Sequence, residues 1–391
     1  MTELVSGVAQ AKPYDLDDRY RSGSGPVLLT GVQAIARGFV EQHVRDIRAG
    51  KRIATFVSGY QGSPLGGVDK MLHGMPKVLA EHDITFIPGF NEELAATAVW
   101  GSQTDLPAGT ATHDGVTGVW YGKGPGVDRA TDTIRHANMY GVNPKGGVVL
   151  LVGDDPASKS STVPAVSERS LAAMGVPVLF PRNAEEIITM GMHAVALSRA
   201  SGCVVALKIV ADVADGAWTI DGSIADFDIV VPEVQFEGKP FVYKQRQMAA
   251  PPDSVIAEAD LYGPRWDLVH AYGTANNLDV IEVNPSGAKI GIAATGTTFD
   301  SVRQALADLA SMMPRCTAPG SVSFASECAT PSWARRSRSS PKVSSRSSWS
   351  RTRPRSSKLR SGKSCTAPTM PLASSASVTA RAVCSCLPVV N

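Results

Sequence analysis

Between residues 25 and 225 short apolar runs alternate with segments whose apolar positions recur every three to four residues. That is the pattern of a parallel sheet covered by helices. Ile35, Phe39, His43, Val44 and Ile47 trace one side of a helix over Val32–Ile47, and Gly50 marks its stop. A strand over Arg52–Val57 follows and runs into Ser58-Gly59-Tyr60-Gln61-Gly62-Ser63-Pro64-Leu65-Gly66-Gly67. A helix over Val68–His82 leads to a strand at Ile84–Pro88, and a third helix starts near Asn91 with Glu92 and Glu93 in its first turn. Further strands fit Gly147–Val152, Val176–Phe180 and Cys203–Val210, with helices at Asp128–Tyr140, Val163–Met174 and Ala184–Ala200. The class is α/β, a parallel sheet with helices on both faces.

Around this body (25–225) the pattern weakens. Residues 1–24 read as an N-terminal extension and 226–285 as a linker region with Val231-Pro232, a basic patch (Lys244, Arg246) and Ala250-Pro251-Pro252. At Lys289 a strand, KIGIAAT, then Gly296 and a helix, TTFDSVRQALADL, open a Rossmann-like unit placed in 286–315. After Leu309 the regular pattern stops.

Charge sharpens that division. The 391 residues sum to a formal net charge of +2, but residues 321–391 carry twelve Lys/Arg and one acid, so 1–320 hold 26 basic against 35 acidic residues, a net of −9. Twenty of those last 71 residues are Ser and nine are Arg, too polar to bury the apolar area that offsets chain entropy. Residues 316–391 are therefore expected to be a disordered tail. A shifted reading frame in a GC-rich gene produces this composition just where a second strand is due. The competing reading is a genuine Ser/Arg-rich arm that binds nucleic acid. The six cysteines offer no paired framework and no CxxC, which argues against a disulfide-stapled secreted protein or a cluster ligated by this chain. No stretch has the ~18 apolar residues of a membrane span, and the polar start lacks the form of a signal peptide, so a cytoplasmic, membrane-free protein is expected.

In open α/β sheets ligands bind where loops leave the carboxyl ends of strands. Four such loops draw notice. In the first, 60–67, three glycines let the backbone approach a ligand and Ser63 offers a hydroxyl; an ordinary strand-to-helix turn with Pro64 near the helix start is the competing reading. In the second, 91–103, Glu92 and Glu93 either complement the helix dipole or bring acid–base chemistry to an apolar site. The third, 120–138, places Gly122, Gly124 and Gly126 before Asp128 as an N-cap, after a poorly patterned strand. The fourth, 148–162, imitates two motifs. Ser158 stands where a P-loop needs its second glycine, and Asp155 where a GDG magnesium motif with Asn183 downstream needs glycine. Asp154 and Asp155 are read as loop acids.

Together SGYQGSPLGG, GFNEELAATAVWGSQ, GVWYGKGPGVDRATDTIRHAN and GDDPASKSSTVPAVSER resemble the N-terminal part of the indolepyruvate ferredoxin oxidoreductase family, in its long fused form, within the 2-oxoacid:ferredoxin oxidoreductases. The likeness runs in order from Leu28 to Leu309. It implies a thiamine-diphosphate-binding fold, with a pyrimidine-type domain at 25–225 followed by the start of a transketolase-C-terminal-like domain. In that family the cofactor's ylid attacks a 2-oxo acid such as an arylpyruvate, CO₂ leaves, electrons pass through iron–sulfur clusters to ferredoxin, and the acyl group goes to coenzyme A. By the match, Glu92 is the carboxylate that bonds the aminopyrimidine ring, and Gly62, Ser63 and Pro64 lie against cofactor or substrate. Lys123, Arg129 and His136 are candidates for the substrate carboxylate, with local ion pairing or packing as the competing role. Glu93 points about 100° round the helix and is expected in solvent.

The resemblance also implies what this chain does not hold: the domain that binds the diphosphate and Mg2+, the cluster cysteines and the acyl-transfer domain. The expectation is a fragment inactive alone, cut from an enzyme that is at least a homodimer. Two other readings stay open, a nonredox thiamine-dependent decarboxylase or synthase and a noncatalytic binding protein.

Overall fold

A computed structural model describes residues 15–21, 23–159, 161–246, 250–312 and 322–326. Strand β1 (Pro26–Thr30) ends in a residue that also caps the next helix. The Thr30 hydroxyl accepts from Gln33 N–H, and the Gln33 side chain accepts from Thr30 N–H, starting α1 (Gly31–Arg48). Then come β2 (Ile53–Gly59), α2 (Gly67–His73), α3 (Pro76–Glu81), β3 (Ile84–Phe86), α4 (Glu92–Gly101) and β4 (Gly115–Lys123). After these lie α5 (Gly124–Arg129), α6 (Thr131–Tyr140), β5 (Val148–Asp154), α7 (Glu168–Ala173), β6 (Val178–Leu179), α8 (Ala184–Ser201) and β7 (Val205–Val210).

Strands β2 to β7 form one sheet in the order β3-β2-β4-β5-β7-β6, every pair parallel. Successive strand residues point to opposite faces. Val119, Tyr121, Val149, Leu151, Val205 and Leu207 therefore join a core with α1 and α8, while Trp120, Leu150, Val152 and Ala206 join a second core with α4 and α6. The expected class holds. Beyond β7, α9 (Ala211–Asp215) leads to β8 (Ala217–Asp221), which pairs antiparallel with β1 away from the main sheet.

Several boundaries differ from expectation. The helix expected over Val68–His82 is two, because Gly74 and Pro76 interrupt it. The third loop's helix starts at Gly124 rather than at an Asp128 cap, and the Asp128 carboxylate instead accepts from the Ser170 hydroxyl at 2.7 Å. The helix expected from Val163 begins only at Glu168, beyond Pro164.

The stretch expected as a linker is largely folded. After a short hairpin, β9 (Gln235–Phe236) and β10 (Lys239–Pro240), it carries α10 (Asp253–Asp260), a π-turn over Leu261–Arg265 and α11 (Trp266–Ala275). Leu261, Trp266, Val269 and Tyr272 pack into the α1–α8 core. Arg265, only 2% exposed, donates to the Ser201 and Gly202 carbonyls.

The last elements are β11 (Val280–Val283), β12 (Ile290–Ala294), α12 (Thr297–Met312) and β13 (Val322–Ser326). Strand β13 lies between the other two, parallel to β12 and antiparallel to β11. Residues 322–326 are thus a strand where a disordered tail is expected; alternating Val322 and Phe324 suit an extended backbone beside two open strand edges. The remainder of that tail, like the extension before residue 15, lies outside the described residues.

Candidate functional site

Strand β2 has β3 on one side and β4 on the other, so the chain reverses its direction across the sheet between them. Such a switch point opens a crevice at the carboxyl ends of the strands. The loop 60–66 leaves β2 there, α5 leaves β4, and α4 follows β3. Two backbone bonds tie these loops together: Tyr60 N–H donates to the Tyr121 carbonyl at 3.1 Å, and Gly89 N–H to the Gly59 carbonyl at 2.8 Å.

Glu92 stands in the first turn of α4. The Asn91 side chain caps this helix by accepting from Leu94 N–H at 2.8 Å, and the buried Trp120 indole donates to the Glu92 carbonyl at 3.0 Å. The residue is 7% exposed. Its side chain lies against Gly126, where an added Cβ would fall 2.7 Å from Glu92 Cγ. Gly126 is thus needed for room. The carboxylate faces the Arg129 guanidinium at 3.9 Å, and Arg129 itself is more than half exposed. Glu93, one position on, is in solvent as expected.

Gly62 presses on the Lys123 side chain, with an added Cβ 3.0 Å from Lys123 Cδ. The turn Gly62-Ser63-Pro64 and the end of β4 are therefore in contact, and Ser63–Pro64 is a cis peptide. Glu92, Arg129, Lys123 and this turn all belong to the same end of the sheet. His136 does not join them. It sits further along α6, its ring between Trp100 and Tyr140 at about 6 Å from each and its Nδ1 beside the Asp132 carbonyl, the local packing that competes with a substrate role for it.

Sequence reasoning left Lys208 unmentioned. It lies at the carboxyl end of β7, 3% exposed, with its ammonium 3.4 Å from Asp154, paired with Glu168 and above the Phe180 ring. Asp154 also accepts from Ser167 N–H and hydroxyl at 2.8 and 2.6 Å. An added Cβ on Gly124 would lie 2.9 Å from Asp154 Oδ1, so this buried charge network supports the start of α5 beneath Gly126. The Asp155 carboxylate accepts from Lys159 and Ser161 N–H, both at 2.9 Å. These acids are committed to protein partners, and among the described residues no three His, Cys, Asp or Glu side chains gather as a metal site. Asn183, the distant member of the apparent magnesium motif, is the N-cap of α8.

The "Indolepyruvate oxidoreductase subunit IorA" of Pyrococcus horikoshii is 26% identical over 288 residues, and that of Pyrococcus abyssi 27% over the same length. These matches cover 72% of this chain and 39% of each relative. The chain is thus similar to curated indolepyruvate oxidoreductase subunits. The subunit of the same name from Methanothermobacter marburgensis is 28% identical over 185 residues, covering 47% of this chain and 26% of that protein. No protein-family model matches the chain. Among solved structures, a 2-oxoglutarate:ferredoxin oxidoreductase from Magnetococcus marinus with 2-oxoglutarate, coenzyme A and succinyl-CoA bound aligns at a TM-score of 0.57 and 14% identity. It covers 78% of this chain and 54% of its own, a likeness of fold. The chain thus spans about two-fifths of the indolepyruvate oxidoreductase subunits it matches.

Proposed function

We propose that residues 25–225 form the aminopyrimidine-binding wall of a thiamine-diphosphate-dependent indolepyruvate ferredoxin oxidoreductase. The reaction is the oxidative decarboxylation of a 2-oxo acid of the arylpyruvate class to an acyl-CoA, with ferredoxin as acceptor. The buried Glu92 carboxylate, seated against Gly126 at the switch point, carries this reading. An aromatic nitrogen base suits it: a carboxylate at a sheet mouth, with a glycine leaving space beside it and half-exposed Tyr60 near the rim.

When bound, thiamine diphosphate supplies the carbon nucleophile of the decarboxylation. Glu92 holds the proton shared with the pyrimidine ring nitrogen, and its helix position is fixed by the Asn91 cap and the Trp120 indole. The turn Gly62-Ser63-Pro64 lines the crevice beside Lys123. Arg129, more than half exposed, offers charge to the substrate's carboxylate. The diphosphate and Mg2+, the iron–sulfur clusters and coenzyme A would be held by groups other than this wall. In this reading the described crevice is one wall of the active site.

Trp120 supplies a reporter because its indole bonds the Glu92 carbonyl. Thiamine titrated into the chain is expected to quench an emission component that is absent from Trp120→Phe. Glu92→Gln should weaken that binding at least tenfold, while Glu93→Gln leaves it unchanged. Equal affinities for the two variants, or no quenching, would remove the assignment.

A further inference from the structure

Tyr121 is fully buried on β4, and apart from the Asp69 carboxylate in the first turn of α2 no hydrogen-bonding group meets its hydroxyl among the described residues; Asp69 Oδ2 likewise has no other partner. The two groups face one another: burial, and then the Asp69 carboxylate, push the phenol well above its ordinary range. A buried hydroxyl and a carboxylate oxygen with no other partner each cost stability. A phenylalanine would fill the same space without that cost, so packing does not explain the hydroxyl.

The placement of Tyr121 does. Its carbonyl accepts from Tyr60 N–H, and Gly59 lies flat on its ring, where any added Cβ would overlap the ring carbons. The same residue therefore holds the start of the 60–66 loop through backbone and ring, and its hydroxyl points to the helix that ends this loop. The ring is fixed laterally by Phe86, 6.2 Å away, which in turn meets His73 of α2 edge-on at 5.0 Å.

From this geometry we infer that Tyr121 and Asp69 are positioning residues, a donor–acceptor clasp beneath the 60–66 loop that closes directly or through one water and sets the height of Gly62-Ser63-Pro64 over the crevice. The inference rests on the reading that this turn lines the ligand site, but the clasp itself can be tested without any ligand.

Amide hydrogen exchange of the full chain provides that test. Tyr121→Phe should speed exchange in peptides covering 60–67 at least tenfold while β5 keeps its protection and the melting midpoint does not fall. Asp69→Leu should do the same, Asp69→Asn should restore slow exchange because an amide still bonds a hydroxyl, and the double variant Tyr121→Phe/Asp69→Leu should be no faster than either single one. A purely structural role would lower the midpoint and loosen β4 and β5 as well. Unchanged exchange at 60–67 in both Tyr121→Phe and Asp69→Leu, or uniform loosening, overturns the clasp. If wild-type chain does not bind thiamine but exchange behaves as stated, the ligand assignment fails and the clasp stands.

Discussion

The start of α4 at Glu92 was legible in the sequence because two acids after Asn91 announce a capped helix start. Lys208 and Tyr121 were not. Each lies inside an apolar run, VVALKIV or GVWYG, where one polar atom looks like an ordinary strand residue, and its meaning depends on Asp154 or Asp69 arriving from elsewhere in the chain. For His136 the two roles weighed in the sequence were a substrate carboxylate and local packing, and its contacts with Trp100, Tyr140 and the Asp132 carbonyl match the second.

His193 shows how burial alone shapes a response to pH. It is 8% exposed, shares a 2.9 Å hydrogen bond with the Tyr272 hydroxyl, and burial, aided by Arg45, lowers its pKa to about 4. The unfolded chain, near the ordinary 6.5, binds more protons between these values, so stability is complete above pH 6.5 and falls as pH drops toward 4. The loss should amount to about 2–3 kcal/mol. Urea midpoints at pH 7 and 5 would show it, and His193→Phe should flatten the slope. His82, also lowered by burial and by His43, contributes with the same sign.

The well-patterned elements, α1, β2, β5, α8 and β7, were legible to within a few residues because their apolar periods are unbroken. Strand β4 was not, although it is central to the sheet. Gly115, Gly118 and Gly122 dilute its strand pattern, and the structure shows why all three are small: an added Cβ on Gly115 would lie 2.9 Å from the Lys145 carbonyl carbon, one on Gly118 2.9 Å from Val99 Cγ1, and one on Gly122 2.5 Å from the Trp120 ring. Helices α10 and α11 were hidden by flanking prolines, although Trp266 and Tyr272 join the main core.

Not every glycine is needed. Gly191 lies inside α8 on the wall of a small apolar cavity with Phe39, Val195 and Leu207, and an added Cβ would meet only Leu207 Cδ2 at 4.0 Å. Gly191→Ala fills space and restricts the unfolded backbone, so it should stabilise the chain by about 0.5–1 kcal/mol. A higher denaturant midpoint with an unchanged slope would confirm this.

For the chain as a whole, the doubly covered sheet and its switch point follow from β-α alternation, which a single sequence displays well. What faces the crevice does not. Around Glu92 the surface exposes Phe90 at 92%, Ile87 at 55% and Leu94 at 53%, an apolar rim beside a charged floor. Among the described residues none covers it. Among the described residues no helix is long and apolar enough to cross a membrane.

The small sheet of β11, β13 and β12 has a different consequence. Its two outer members each pair on one side only among the described residues, and Ile281 and Ile290 on them are 63% and 66% exposed. Two such bare margins are templates to which a like strand from a neighbouring molecule can be added. Concentrated solutions should therefore show light scattering that grows with protein concentration, and Ile281→Lys combined with Ile290→Lys should suppress it by setting like charges at each seam. The handling of this protein in solution is then governed by a few residues outside the group formed by Glu92, Arg129, Lys123 and the 62–64 turn.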